Sequence, residues 1–503
     1  MKQKLKIFFL SAEAAPFAKV GGLGDVAGAL PKALADFNID IRICLPLYGF
    51  IDRKKYKIKK ISQKILVSAG GRNEKINLWF SCLPGRKTPV YLIEHRFFNS
   101  KKIYQGAKIL KNNKYTRGVD DIKRFSFFTR AAIEMAKRLK FKPDIIHCHD
   151  WHTALAPDFI KIENKKNDYF KSTKTVFTIH NLANQGIAGP EIVGYSKLDS
   201  NSPIIKADLK NGDINFMVQG IFSSDIVNTV SPTYAKEILT HYRGAGLDKI
   251  LQKKRKDIYG ILNGIDIDFY NPETDKFIKQ KYAIKNLGEK TANKLDLQKK
   301  LGLPINKKIA LVGLVSRFVW QKGIELITEE FKKLNCQFVF LGTGEKKYED
   351  YLKGLAKKYP NQFSAQIKFD EILAHQIYAG SDIFLMPSLF EPCGLGQMIA
   401  MRYGTVPIAR ETGGLKDTVK NFKSSRLSNG QISSLKNALQ ANGFTFKDFS
   451  EKTFYKILDQ ALAVYYYEPK IWRQLMINGI KGDYSWGKSA AEYLKLYKLA
   501  LRK

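Results

Sequence analysis

Two short basic loops carry the residue types that chemistry on a phosphorylated substrate needs. They are Lys19-Val20-Gly21-Gly22-Leu23-Gly24-Asp25 and, beyond mid-chain, Ser316-Arg317 with Gln321-Lys322-Gly323. Glycines at a helix N-terminus let backbone amides approach an anion, and two fixed cations neutralise one, so together these loops can hold a diphosphate. Asp150 stands in His147-Cys148-His149-Asp150-Trp151-His152, His180 in Thr178-Ile179-His180-Asn181, and Glu391 in Phe390-Glu391-Pro392-Cys393-Gly394-Leu395. A carboxylate fixed by prolines and glycine suits bidentate hydrogen bonding to sugar hydroxyls, with a helix cap as its plainer reading. Thr412-Gly413-Gly414-Leu415 is a further glycine turn whose amides are placed for a phosphate.

The elements that must position these residues can be read from hydrophobic patterning. The basic loops come after apolar runs, Leu5 to Leu10 and Ile309 to Val315, that read as buried parallel strands, and each opens a helical pattern. Strand-like runs recur at Ile39 to Leu45, Pro89 to Ile93, Asp144 to His147, Thr175 to Ile179 and Ile226 to Val230. In the second half they recur at Gln337 to Leu341, Ala365 to Phe369, Asp382 to Met386 and Val406 to Ala409. Alternation with helical segments predicts an α/β chain with parallel sheets, whose ligands bind at the carboxyl ends of the strands. At 503 residues the chain exceeds one hydrophobic core. The basic stretch before Asp257 and the turn at Asn263-Gly264 mark a hinge, which divides the chain into 1–256, 257–484 and a last helix at 485–503. That helix carries Trp486, Ala490, Tyr493, Leu494, Tyr497 and Leu501 on one face and is expected to cross back to the first domain.

Commoner glycine loops fit less well. Gly22-x-Gly24-x-x-Ala27 has dinucleotide-binding spacing, but Cys44-Leu45-Pro46-Leu47-Tyr48 at the next strand end lacks the acid for an adenosine ribose. In a Walker loop the Lys follows the glycines, whereas here it precedes them. The histidines around Asp150 alternate along a strand end and no Cys or Glu completes a ligand set, so no metal site is expected. Taken singly, His147, His149 and His152 read as hydrogen-bonded packing residues.

The formal net charge of +37 raises a nucleic-acid or anionic-surface partner, but the charge is mostly Lys and lies in dispersed patches such as Arg53 to Lys60 and Lys253 to Lys256. That distribution favours a solvated surface over RNA binding. Cys44, Cys82, Cys148, Cys336 and Cys393 are scattered without metal spacing, as expected of reduced thiols in the cytoplasm. Ile7-Phe8-Phe9-Leu10 after basic residues imitates a signal peptide, but the run is short and Glu13 breaks the apolar pattern soon after it, so it reads as a first strand. No stretch approaches the roughly 20 apolar residues of a membrane span.

Taken together, these segments resemble the bacterial glycogen and starch synthases. The resemblance rests on Lys19-Val20-Gly21-Gly22-Leu23, His149-Asp150-Trp151-His152, Thr178-Ile179-His180-Asn181-Leu182, Asn228-Thr229-Val230-Ser231-Pro232 and Gly260-Ile261-Leu262-Asn263-Gly264-Ile265-Asp266. It continues through Ser316-Arg317, Gln321-Lys322-Gly323, Leu341-Gly342-Thr343-Gly344, Glu391-Pro392-Cys393-Gly394-Leu395, Met401-Arg402-Tyr403-Gly404-Thr405, Thr412-Gly413-Gly414-Leu415 and Asp483-Tyr484-Ser485-Trp486, in order along nearly the whole chain. It implies a GT-B glycosyltransferase, with two Rossmann-like doubly wound domains facing across a cleft. The implied reaction is transfer of glucose from ADP-glucose, or alternatively UDP-glucose, to the nonreducing 4-hydroxyl of an α-1,4-glucan, with retention and without cofactor. By position, Arg317 and Lys322 would grip the diphosphate, and Lys19 with the Gly21 and Gly22 amides would approach it. Glu391 would hold glucose hydroxyls with Cys393 and Gly394 nearby, Asp150 and His180 would line the reacting centre, and Asp25 and Asn263 would contact the sugar nucleotide.

Two departures stand out. Many retaining relatives carry a second Glu eight positions after the first, where this chain has Ile399, so a paired-carboxylate mechanism has no support there. Asn184 replaces a frequent aromatic residue in the segment after His180. Three other classes compete. A nicotinamide oxidoreductase needs the missing ribose acid. A glucan phosphorylase would bind pyridoxal. An inactive transferase scaffold with a basic RNA-binding surface would leave Lys19, Arg317, Lys322 and Glu391 without a role.

Overall fold

The computed structural model describes residues 4–106, 120–423, 425–426, 432–433 and 438–503. The chain packs as two units: Met1–Val230, Ala235–Gly264 and Trp486–Lys503 form the first, and Ser231–Tyr234 with Ile265–Ser485 form the second. The change of unit falls at 264 rather than 257, because the strand Ile258–Gly260 is parallel-paired to Ile226–Thr229 and stays in the first sheet. Ser231–Tyr234 belongs to the second unit, where Asp417 accepts from the Ser231 hydroxyl at 2.5 Å and from the Thr233 amide at 3.0 Å.

Among the described residues, the first unit is built on a nine-stranded sheet. Its strands are β1 (Lys6–Leu10), β2 (Asp40–Pro46), β3 (Lys59–Ala69), β4 (Arg72–Cys82), β5 (Pro89–Glu94), β6 (Ile145–His149), β7 (Lys174–Ile179), β10 (Ile226–Thr229) and β11 (Ile258–Gly260), with a two-residue pair β8 (Ile187–Ala188) and β9 (Ile214–Asn215) outside it. The spatial order is β11-β10-β7-β6-β1-β2-β5-β4-β3. From β1 the chain adds β2, runs to the far edge at β3, comes back through β4 to β5 beside β2, and then crosses to β6 on the other side of β1. The switch point therefore lies between β1 and β6, and the loops after these two strands open at the same sheet edge. The ribbon β3–β4 is antiparallel, and sequence patterning offers only a basic patch over its start.

In the second unit β12 (Ala310–Val315), β13 (Cys336–Gly342), β14 (Phe363–Ile367), β15 (Ile383–Met386) and β16 (Val406–Arg410) form a parallel sheet. After a short antiparallel pair, β17 (Ser425–Arg426) and β18 (Ile432–Ser433), the strand β19 (Phe444–Phe446) closes it in the order β14-β13-β12-β15-β16-β19. Both faces are covered. Ala310, Val312 and Leu314 of β12 join a core with Phe331, Phe454 and Leu458, while Leu311 joins another with Leu297, Leu373 and Ile377. This alternation is what a doubly wound strand requires. The switch point falls between β12 and β15. β14 begins two residues before the expected run, which leaves Phe369 outside it.

The helix Trp486–Ala500 belongs to the first unit. Trp486, Ala490, Tyr493 and Tyr497 are buried as its pattern predicts, but Leu496 and Ala500 complete the face and Leu501 is exposed. The Tyr497 hydroxyl reaches His147 Nδ1 at 2.8 Å, and the Tyr493 hydroxyl accepts from Asn228 Nδ2 at 3.0 Å. His147 is thereby a packing residue, its Nε2 meeting the Thr178 hydroxyl at 2.6 Å.

Candidate active-site residues

In the second unit the switch point brings the β12 and β15 loops together. Lys322 Nζ lies 2.5 Å from Glu391 Oε2, and the Ser388 hydroxyl donates to the same oxygen at 2.9 Å. Both bonds fall on Oε2, so Oε1 is the oxygen placed to take a further hydroxyl. Between the loops, the Leu389 amide donates to Gln321 O at 2.8 Å and Gln321 Nε2 to Phe390 O at 3.1 Å. Buried Arg410 donates from Nε to Ser388 O at 2.8 Å and from Nη2 to Leu389 O. Arg317 stands exposed at the head of the β12 loop.

Glycines permit this packing. A Cβ on Gly323 (φ +67°) would lie 2.2 Å from Pro387 O, and one on Gly413 (φ +44°) 2.0 Å from Glu391 O. The Gly414 amide is donated to the carbonyls of Glu391 and Pro392, at 3.2 and 3.1 Å. Gly413 and Gly414 thus let the Glu391 loop approach, and the Gly414 amide bonds within the protein. Cys393 is buried, and Gly394 (φ +72°) sits where a Cβ would meet Gln397 Oε1 at 2.6 Å. Gly413→Ala should cost more than about 1 kcal/mol, because it adds left-handed strain to a clash with backbone. Urea unfolding measures that loss, and turnover should fall with it as Glu391 is displaced.

At the first unit's switch point, the β1 loop turns into the helix Gly22–Ala35, which lacks a side-chain cap at Gly21. Lys19 Nζ pairs with Asp25 at 2.6 Å. Glu13, only 3% exposed, accepts from the Val20 amide at 2.6 Å and the Gly21 amide at 3.1 Å. The Gly21 amide is therefore turned to an internal carboxylate rather than presented to a ligand.

Asp150 comes directly after β6 in a left-handed conformation, φ +51°, that costs a non-glycine residue energy and marks a constrained site. Its Oδ1 accepts from the His180 amide at 2.7 Å, which ties the ends of β6 and β7 together. Burial pushes the Asp150 carboxyl up to about 7; the His180 and Asn181 amides pull it down, and the Glu13 charge adds to the rise. His180 Nε2 lies 2.9 Å from His149 Nδ1. Burial lowers both His180 and His152 to about 3 and holds His147 and His149 well below their ordinary value, so the cluster is neutral near pH 7. Asn263 is buried, and its Oδ1 has no hydrogen-bond partner among the described residues.

The structure thus gathers Lys322, Glu391, Gly413 and Gly414 in one place, and Lys19, Asp25, Gly21 and Gly22 in another. Asp150 and His180 meet at the ends of adjacent strands. Ile399 is buried on the helix Gly396–Arg402, with the apolar role its type suggests. Three residues carry no signal in the sequence that marks them as site candidates. Glu13 reads there only as a break after a strand. Tyr104, whose hydroxyl donates to Glu13 Oε1 at 2.5 Å, lies in a segment without periodicity. Phe369 reads as the end of a strand, yet it is 88% exposed beyond the carboxyl end of β14.

Residues 6–253 match a profile described as the starch synthase catalytic domain, and residues 295–462 one described as glycosyl transferases group 1. The chain is 42% identical over 507 residues to a glycogen synthase of Thermotoga maritima, covering 99% of each. It is 43% identical over 505 residues to a glycogen synthase of Clostridium novyi, covering 99% of this chain and 100% of that one. The catalytic domain of starch synthase IV from Arabidopsis thaliana, bound to ADP and acarbose, superposes with a TM-score of 0.87 at 36% identity, covering 100% of both chains. A sucrose-phosphate synthase from Thermosynechococcus elongatus shares the fold, with a TM-score of 0.57 at 17% identity and 99% of each chain covered.

Proposed function

This chain belongs to the glycogen and starch synthase family of glucosyltransferases, and from that premise we infer that it extends an α-1,4-glucan, transferring glucose from ADP-glucose to the nonreducing 4-hydroxyl with retention at the anomeric carbon. The observation that carries this reading is the meeting of Lys322 and Glu391 at the second unit's switch point, a cation and a carboxylate oriented by the same two loops. A departing nucleoside diphosphate needs positive charge already in place, a role we assign in the second unit to Arg317 and Lys322. Glu391, held through Oε2, offers Oε1 to a glucose hydroxyl. Asp150 and His180 belong to the reacting centre, where Asp150 orients the sugar or offsets developing charge. Asp25 and Asn263 are assigned to the sugar nucleotide.

An adenine base is supported by the relative solved with ADP. Phe369, an exposed aromatic at the edge where ligands of such sheets bind, is the residue we assign to stack on that base. Phe369→Ala should raise KM for ADP-glucose about 10-fold with kcat nearly unchanged, as loss of one base–aromatic stack implies. Its melting temperature should not move. No helix among the described residues is long and apolar enough to cross a membrane. The five cysteines, all described, form no disulfide, in keeping with the reducing cytoplasm that we assign.

The test of linkage and donor is direct. Glucan extended from labelled ADP-glucose should release its label to an exo-acting α-1,4-specific amylase, and an equal concentration of UDP-glucose should compete poorly. Label resistant to the amylase contradicts the retained α-1,4 linkage, and equal competition contradicts the donor.

A further inference from the structure

A loop with three glycines in seven residues has the most backbone freedom to lose, yet Lys19 must be held in place if it is to meet a phosphate. Its neighbourhood contains an unusual restraint. Glu13 Oε2 accepts from the amides of Val20 and Gly21, and Oε1 accepts from the Tyr104 hydroxyl, so both oxygens of a buried carboxylate are spent around this loop. The Glu13 backbone is fixed in turn by Ser11, whose hydroxyl donates to Glu13 O at 2.6 Å. A Cβ on Gly24 would lie 3.0 Å from both Glu13 Oε2 and Lys19 Cγ, so the glycine there lets the acid and the lysine stem pack side by side.

We propose that Glu13 is a positioning residue for glucosyl transfer: as an internal carboxylate it takes the Val20 and Gly21 amides, fixes the backbone that carries Lys19, and so aims the Lys19 ammonium at the donor. The proposal rests on the function inferred above and deepens it. Carboxylate bonds to backbone N–H are charge-assisted and stronger than neutral ones, which suits a clamp on a glycine loop. Tyr104 orients the carboxylate from the opposite side. Its ring stacks on His152, with centroids 5.1 Å apart, and so links the clamp to the Asp150 segment.

Glu13 acts through Lys19, so its effect should vanish when Lys19 is absent. Glu13→Ala should lower kcat about 100-fold, the loss expected from misplacing one catalytic group by about 1 Å, with little change in KM for glucan. Glu13→Gln should recover most of this, because an amide oxygen still accepts from Val20 and Gly21. In a Lys19→Ala background, Glu13→Ala should cost almost nothing more. Hydrogen exchange at the Val20 and Gly21 amides should quicken in Glu13→Ala and, by a smaller factor, in Tyr104→Phe. Additive losses in the double variant, or unchanged exchange at both amides, overturn the proposal while an active wild type leaves the function standing. An inactive wild type overturns both.

Discussion

Replacing Lys322 by alanine is expected to lower kcat about 10²–10³-fold, the usual cost of removing one preorganised group that stabilises developing negative charge. The fold should lose far less. Glu391 keeps the Ser388 hydroxyl, and the two loops keep the Leu389–Gln321 backbone bond and the Gln321 side-chain bond to Phe390. Leaving a partly satisfied carboxylate behind costs about 1–3 kcal/mol. Thermal unfolding and initial rates on one preparation separate the effects, and normal transfer by a folded Lys322→Ala protein refutes the assignment. Glu391→Gln is a useful companion, since it keeps a hydroxyl acceptor but removes the charge opposite Lys322.

The second large effect concerns Asp150, and it has opposite signs for activity and stability. Asp150→Asn should lower transfer about 10²–10⁴-fold if the carboxyl acts at the reacting centre. Asparagine tolerates the left-handed backbone and its carbonyl can accept the His180 amide, so the fold should survive. The folded-state value of Asp150 is raised to about 7 by burial, above about 3.9 for an unfolded aspartate. Between those values the native state holds a proton that the unfolded state has lost, so wild-type stability falls as pH rises through this window and levels off above it. The asparagine variant escapes that loss. It should be more stable than wild type at pH 8, by up to about 4 kcal/mol, with the advantage fading towards pH 4. Urea unfolding at pH 5 and pH 8 tests this, and a difference independent of pH contradicts it.

The sheets are legible in the sequence because parallel strands buried on both faces leave continuous apolar runs, as at Ile309 to Val315 and Asp382 to Met386. The ribbon β3–β4 is not, because one of its strands starts in a lysine-rich stretch that looks like a solvated surface. β19 spans three residues, too few for periodicity to register. Among the site residues, Lys322 and Glu391 can be named from their loops, but not their meeting, which depends on β12 and β15 being neighbours across a switch point 69 residues apart in sequence. Gly21 and Gly414 look like phosphate-binding amides in sequence, and in the structure both amides are donated to the protein's own oxygens. Spacing reveals a backbone that can approach closely. It does not reveal what is approached, which is why Glu13, seven and eight residues before its two amide partners, stays hidden.

The central claim is tested most directly by incubating the purified chain with glycogen and ADP-glucose, without added metal, and measuring nucleoside diphosphate released against glucose incorporated into polymer. Release and incorporation should occur in equal amounts, both lowered together by about 10²–10³-fold in the Lys322→Ala protein. Release without incorporation, or neither from ADP-glucose nor from UDP-glucose, contradicts the claim.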